Sequence, residues 1–166
     1  MKLTPMTGLL LAVLLPVALP LRAEWTYREI DNQAENMTTW LAKNRSRPVN
    51  ATRPGEAPLV LELSMVSGPD GSSLAFELAG GWPACLEPAF CTATFRFDGG
   101  SPVATRAGSS PRRMQFLVVR NPQRVLQRIL GARQMTIEIP VVEKGPVTFS
   151  FDLSDFRWSS RFMPRP

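Results

Sequence analysis

The chain has 166 residues, of which 44% are hydrophobic, and 19 basic side chains face 14 acidic ones for a formal charge of +5. It contains no histidine, which excludes Ser-His-Asp and Cys-His catalytic devices and removes the commonest metal ligand and general base. It contains two cysteines, too few to build a cysteine metal site without carboxylates or a second chain.

The N-terminus reads as a secretory leader. Lys2 supplies the positive region, Gly8 to Leu15 form a short apolar core, Pro16 and Pro20 interrupt it, and Ala23 offers a small residue for cleavage. The competing reading is a membrane anchor, but a spanning helix needs about 20 apolar residues. No cysteine lies near the cut, so the leader is not of the lipidated kind. Residues 1–23 are therefore expected to be a signal peptide, 24–156 one β-rich domain and 157–166 a flexible tail, the protein residing in the periplasm. Removing Lys2 and Arg22 leaves 17 basic against 14 acidic groups, a net +3. Such an Arg-rich surface suits either plain solvation or an anionic envelope partner. Export argues against nucleic acid.

Glu24 to Ile30 alternates and reads as a short strand. Asp31 to Asn44 fits a helix capped by Asp31, or a loop followed by a strand MTTWLA, which its threonines and Trp40 favour. Arg45 to Pro58 is a proline-bearing loop. Pro58 to Val66 is a strand with Leu59, Leu61, Leu63 and Met65 on one face. GPDGS turns the chain into a returning strand, Ser73 to Leu78. Gly80 to Pro88 is a bend holding Trp82 and Cys85. Cys91 to Asp98 is the next strand, and Asp98-Gly99-Gly100 signals a hairpin returning over Ser101 to Arg106. Gly108 to Arg113 is a polar loop, and Met114 to Val119 is apolar enough for a buried strand. Asn121-Pro122 opens a short helix near residues 122–130, with Asn121 as cap and Gly131 as a left-handed terminator. Gln134 to Pro140 and Pro146 to Leu153 form a last hairpin around Glu143-Lys144-Gly145. Short strands punctuated by turns, with one helix, imply a small β-sandwich or barrel-like domain.

Cys85 and Cys91, six positions apart, suit a structural disulfide in an oxidising compartment better than a metal site or a redox pair. Phe95 and Phe97 share a face opposite Arg96. They are core aromatics with a solvated arginine, or an exposed aromatic platform; alternation alone leaves both open.

Several pieces, in order, resemble the VasI/TagO family of exported accessory proteins linked to type VI secretion. They are a tryptophan strand leading to Asp31-Asn32, the Leu59-Val60-Leu61-Glu62-Leu63 strand, Phe95-Arg96-Phe97-Asp98-Gly99-Gly100, a basic helix, and the closing Phe151-Asp152-Leu153-Ser154-Asp155-Phe156. Arg96, Asp98, Gly99, Asp152 and Leu153 match best. Ser64 stands where many members carry cysteine, and Asp155 where glycine is usual. The resemblance implies a non-catalytic accessory protein that binds an envelope protein or a secretion-system component, with no cofactor.

On the residues themselves, the expected partner surface is Arg124 and Arg128, four apart on one helix face, with Arg112 and Arg113. An alternative is an inhibitor of a periplasmic or foreign hydrolase, inserting the loop from Arg106 to Arg113. An enzyme is the third reading. It would need Lys43 or Lys144 in a Ser-Lys pair, or Asp98 with Asp152 or Asp155, although these carboxylates suit turn capping better. Asn36, Asn44 and Asn50 head formal glycosylation triplets, taken here as chance. The leader reading is checked by intact mass: the mature protein should begin at Glu24, and a chain retaining Met1 would refute it.

Overall fold

A computed structural model of the chain describes residues 25–32, 37–49, 55–68, 71–85, 90–109 and 112–158. The expected leader (1–23), Asn36 and Asn50 lie outside these residues, as does the tail from Ser159 onward.

The fold is mainly β, as the punctuated strand pattern implies. Nine strands form one antiparallel sheet: β1 (Thr26–Asn32), β2 (Met37–Arg45), β3 (Val60–Gly68), β4 (Gly71–Ala79), β5 (Cys91–Phe97), β6 (Val103–Ser109), β7 (Phe116–Val119), β8 (Gln134–Val141) and β9 (Gly145–Asp152). Among the described residues there is one helix, α1 (Gln123–Ile129), which connects β7 to β8. The spatial order is β1-β2-β3-β4-β7-β6-β5-β8-β9, and the sheet curls into a half-barrel. The first four strands are a meander. β7 joins that meander to the second half through three residue pairs, Ala75↔Val118, Phe76↔Leu117 and Glu77↔Phe116.

The core follows from alternation, interrupted where Ser64 and Ala75 are buried as well. Leu61, Leu63 and Met65 of β3, Leu74, Phe76 and Leu78 of β4, Phe95 and Phe97 of β5, Met135, Ile137 and Ile139 of β8, and Phe149 and Phe151 of β9 are all buried in one continuous core. Phe95 and Phe97 are thus core aromatics, with Arg96 exposed on the other face. The rings of Phe76 and Phe95 lie 5.9 Å apart across the concave side, and each fully buried ring contributes about 1.5–3 kcal/mol. The two ends of the sheet approach one another. Arg47 N–H donates to Ser150 O at 3.0 Å, and Asn44 Nδ2 donates to Asp152 O at 2.9 Å. Asn44 is itself buried, so its formal glycosylation triplet is not presented to solvent.

Several local expectations change. Residues 31–32 belong to β1 and the chain from Met37 is strand, so the threonine-rich β reading wins over the helix. Asn121 takes a left-handed φ of 50° and makes no capping bond; the helix N-cap is Pro122, whose carbonyl accepts from Val125 and Leu126 N–H. Gly131 is not left-handed. Its N–H reaches Arg128 O at 3.2 Å, a tightened last turn that needs no positive φ. β7 is buried on one face only: Leu117 and Val119 point inward while Val118 and the preceding Met114 are exposed. β6 runs on through Gly108 and Ser109, both buried, where a polar loop was expected. The segment proposed to enter a hydrolase is therefore half strand. Beyond the expected domain end, Arg157 N–H donates to Tyr27 Oη at 2.8 Å and Trp158 stacks on Phe156. Phe156 in turn packs on Trp25 with ring centroids 4.3 Å apart.

Two hairpin turns behave as read, and the GPDGS turn includes residues 69–70, which lie outside the described residues. Asp98 and Gly99 take φ of 49° and 72°, and Gly100 N–H closes the turn on Phe97 O at 2.8 Å. The Cys85–Cys91 disulfide is formed, with Cα atoms 4.9 Å apart and Cys85 fully buried. Closing so short a ring removes about 2 kcal/mol of unfolded-state freedom in the loop-entropy account.

On the convex side of β2 and β3, Glu62 accepts from Lys43 Nζ at 2.6 Å and from Arg45 Nε at 3.0 Å. Burial disfavours its charged form, but the two cationic donors outweigh this and hold its carboxyl below the ordinary glutamate value. A lowered folded-state pKa means stability that is present above the unfolded value and lost as pH falls through the folded one. Replacing Glu62→Gln should therefore destabilise the protein at neutral pH by at most about 1 kcal/mol for a pair this exposed, read as a lower Tm. The gap to wild type should close as pH falls below the glutamate range, followed by thermal denaturation across pH. A gap that stays constant down to acid pH would show that the charge contributes nothing.

Candidate functional site

Two surface features stand out. The first is on the convex face of β6 and β7. Alternation sends Ala107 and Val119 into the core and leaves Arg106, Val118 and Arg120 exposed on the other face, where Gly108 is buried beneath Phe90. One step beyond the Ala107↔Val119 pair, Arg120 N–H donates to Arg106 O at 2.7 Å, so the two arginines stand opposite each other. Both guanidinium groups lie over one ring, that of Phe90, with Cζ atoms 4.8 and 4.7 Å from its centroid. Phe90 rests on Gly108: a Cβ there would come within 2.6 Å of the ring. On the same face, Arg113 stacks over Phe116 at 4.5 Å. Among the described residues, none of these three arginines forms an ion pair with a carboxylate. Like charges directly opposite on neighbouring strands repel. Here the ring's electron-rich face offsets part of that repulsion, and the planar guanidinium forks remain available to carboxylate or phosphate oxygens.

The second feature is a groove of about 370 Å³ at one mouth of the half-barrel, where β4, β7 and the β8–β9 turn converge. Glu56, Gly80, Gly81, Trp82, Gln115, Val142, Glu143 and Lys144 line it. Trp82 and Val142 are about half exposed, at 48% and 45%. Backbone bonds fix the walls: Val142 N–H donates to Trp82 O at 2.8 Å, and Ala84 N–H to Pro140 O at 2.9 Å. Lys144 Nζ holds Glu56 Oε1 at 2.7 Å.

The arginines expected from sequence fall in two places. Arg112 and Arg113 precede β7; Arg124 and Arg128 sit on α1 beyond its other end. All four are exposed, but only Arg113 joins the aromatic-arginine face. Arg106 and Arg120 were missed, because nothing in the sequence states that the strand of Arg106 pairs with the one ending before Arg120. The usable signal was Phe90, an aromatic just outside a strand whose inward positions were already filled.

Four of the residues considered for catalysis, Lys43, Lys144, Asp98 and Asp152, have structural partners, and Asp155 is exposed. Lys43 is bonded to Glu62 and Lys144 to Glu56. Asp98 Oδ1 accepts from the N–H groups of Arg133 and Gln134, at 3.0 and 2.9 Å, and Asp152 Oδ1 accepts from Ser154 N–H and Oγ. Among the described residues, no three Cys, Asp or Glu gather as a metal site, and no helix is long and apolar enough to cross a membrane.

No protein-family model matches the chain, and neither a curated protein nor a solved structure matches it.

The seat of Phe90 is testable. A Gly108→Ala exchange places a methyl group where the ring lies, and should cost about 1–3 kcal/mol by overpacking, read as a drop in Tm. An unchanged Tm would mean that Phe90 is not held against the strand.

Proposed function

We propose that this protein is an exported, non-catalytic binding module of the periplasm, an accessory protein of the VasI/TagO kind associated with type VI secretion. Its partner is an acidic envelope protein, which docks on the convex face of β6 and β7.

One observation carries the reading: two arginines set opposite each other over a single phenyl ring, with no ion-paired carboxylate among the described residues. Holding two cations together costs free energy that an anionic partner recovers, and arginines on aromatic surfaces are the side chains most enriched at binding hot spots. Arg113 on Phe116 extends the face, and Val118, 44% exposed, lies between them. The excess of basic groups in the mature chain has the same sign. The disulfide and the leader-like N-terminus support export, and the order of the strand motifs supports the accessory role.

A photo-crosslinker at Val118 in cells should capture a specific envelope protein. The double reversal Arg106→Glu, Arg120→Glu should abolish that adduct, whereas Arg124→Glu, Arg128→Glu should leave it intact. Adducts unchanged by the first reversal would remove this face from consideration. Loss only with the helix reversal would move the site to α1, and sedimentation with anionic phospholipid vesicles would replace the protein partner by a lipid surface.

A further inference from the structure

The groove at the barrel mouth has a chemistry distinct from the arginine face, and the geometry points to a neutral saccharide as its ligand. Mouths of β-barrels are favoured ligand sites, and about 370 Å³ lies within the range of roughly 300–1,000 Å³ typical of small-molecule clefts. Three features of the lining select the ligand.

The first is the floor. Gly80 has φ of 80°, and a Cβ on it would lie 2.5 Å from Pro58 O; a Cβ on Gly81 would lie 2.8 Å from Leu59 Cδ2. Two bare residues are therefore imposed by packing beneath them, and they leave open backbone beside the tryptophan. The second is the wall. Trp82 is anchored through its carbonyl to Val142 N–H, while about half of its surface remains exposed. A half-exposed indole on an anchored backbone offers a flat, electron-rich face to the C–H groups of a pyranose ring. The third is the rim. Gln115, Glu56, Glu143 and Lys144 supply both hydrogen-bond donors and acceptors, as vicinal hydroxyls require.

Charge decides among ligand classes. Among the described residues, two carboxylates and one ammonium line the rim, a net charge of about −1 that disfavours an acidic sugar. Lys144, held by Glu56, disfavours a cation on the indole. A neutral sugar satisfies both.

The test is a titration of the isotope-labelled mature protein with maltotriose, cellotriose and chitotriose, following the Trp82 indole N–H by NMR. At least one trisaccharide should shift that resonance with millimolar affinity, so about 20 mM suffices to observe it. Trp82→Ala should weaken binding by about tenfold or more, the effect of truncating an aromatic hot spot, and Trp82→Tyr should retain most of it. The Arg106→Glu, Arg120→Glu protein should bind the sugar as wild type does, which separates this site from the proposed partner face. If Trp82→Ala fails to fold, protection of wild-type Trp82 from oxidation by the same sugar, read by mass spectrometry, serves instead. The inference is overturned if no neutral trisaccharide moves or protects Trp82. It is equally overturned if binding survives Trp82→Ala in the folded protein, or if tetramethylammonium or oligogalacturonate binds more tightly than every neutral sugar.

Discussion

The whole molecule depends on a narrow joint. Strands β1 to β4 form one continuous meander and β5, β6, β8 and β9 another group, and they become one sheet only through β7, which reaches β4 over three residue pairs. Backbone hydrogen bonds this few do not hold two halves together by themselves, since each contributes only about 0.5–1.5 kcal/mol net. The joint holds because the same alternation that sends Leu117 inward sends Phe76 and Phe95 inward beside it, and the curl lets side chains of both halves share one apolar volume. Burial makes the joint, and the joint then fixes everything on the opposite side of the sheet.

That opposite side is where the proposed functions sit. Once Leu117 and Val119 are committed to the core, Val118 and Arg120 must point outward. Once Ala107 pairs with Val119, Arg106 must stand beside Arg120. The guanidinium pair is thus a consequence of register, and a slip of one residue in β7 would bury one arginine. The mouth groove has a different origin. It collects the ends of elements, the run-out of β4, the approach to β7 and the β8–β9 turn, and its charges are mixed where the Arg106–Arg120 pair is basic. Two surfaces with such different electrostatics would not compete for one ligand, so the two proposed sites are separable.

Much of the architecture was legible in the residues. Alternation marked β3, β4, β5, β8 and β9, because each has one solvated face and a period of two is unambiguous there. The Asp98-Gly99 and Glu143-Lys144-Gly145 turns were legible because positive φ is confined to a few residue types. The disulfide followed from composition and compartment. Errors arose where local signals were weak or shared. Asn121-Pro122 looks like a capped helix start, yet Asn121 itself tolerates a left-handed conformation and takes it. Gly108 and Ser109 look like loop residues, but a strand accepts them because Phe90 fills the space that a side chain at 108 would occupy. Pairing between distant strands, which builds the arginine face, is not encoded at any short range.

The disulfide links these strands of argument. Cys85 is buried under β6, its carbonyl accepting from Ser109 N–H and Oγ at 3.1 and 3.2 Å. Cys91 is the first residue of β5. Trp82 lies three residues before the first sulfur and Phe90 one residue before the second, so one covalent bond sets the approach of the chain to both proposed sites. Neither aromatic is in a strand of the sheet, and neither is fully buried. Without the bond, Phe90 would be held mainly by its fit over Gly108 and by the two arginines, whose mutual repulsion opposes their convergence on it. The segment of Trp82 would retain its backbone bonds to the end of β8 but lose its tie to β5. In a reducing compartment the core would keep its apolar faces while both surface sites lost their common anchor. The disulfide thus bears on the two proposed binding surfaces more than on the apolar core, and an oxidising compartment would keep both of them anchored.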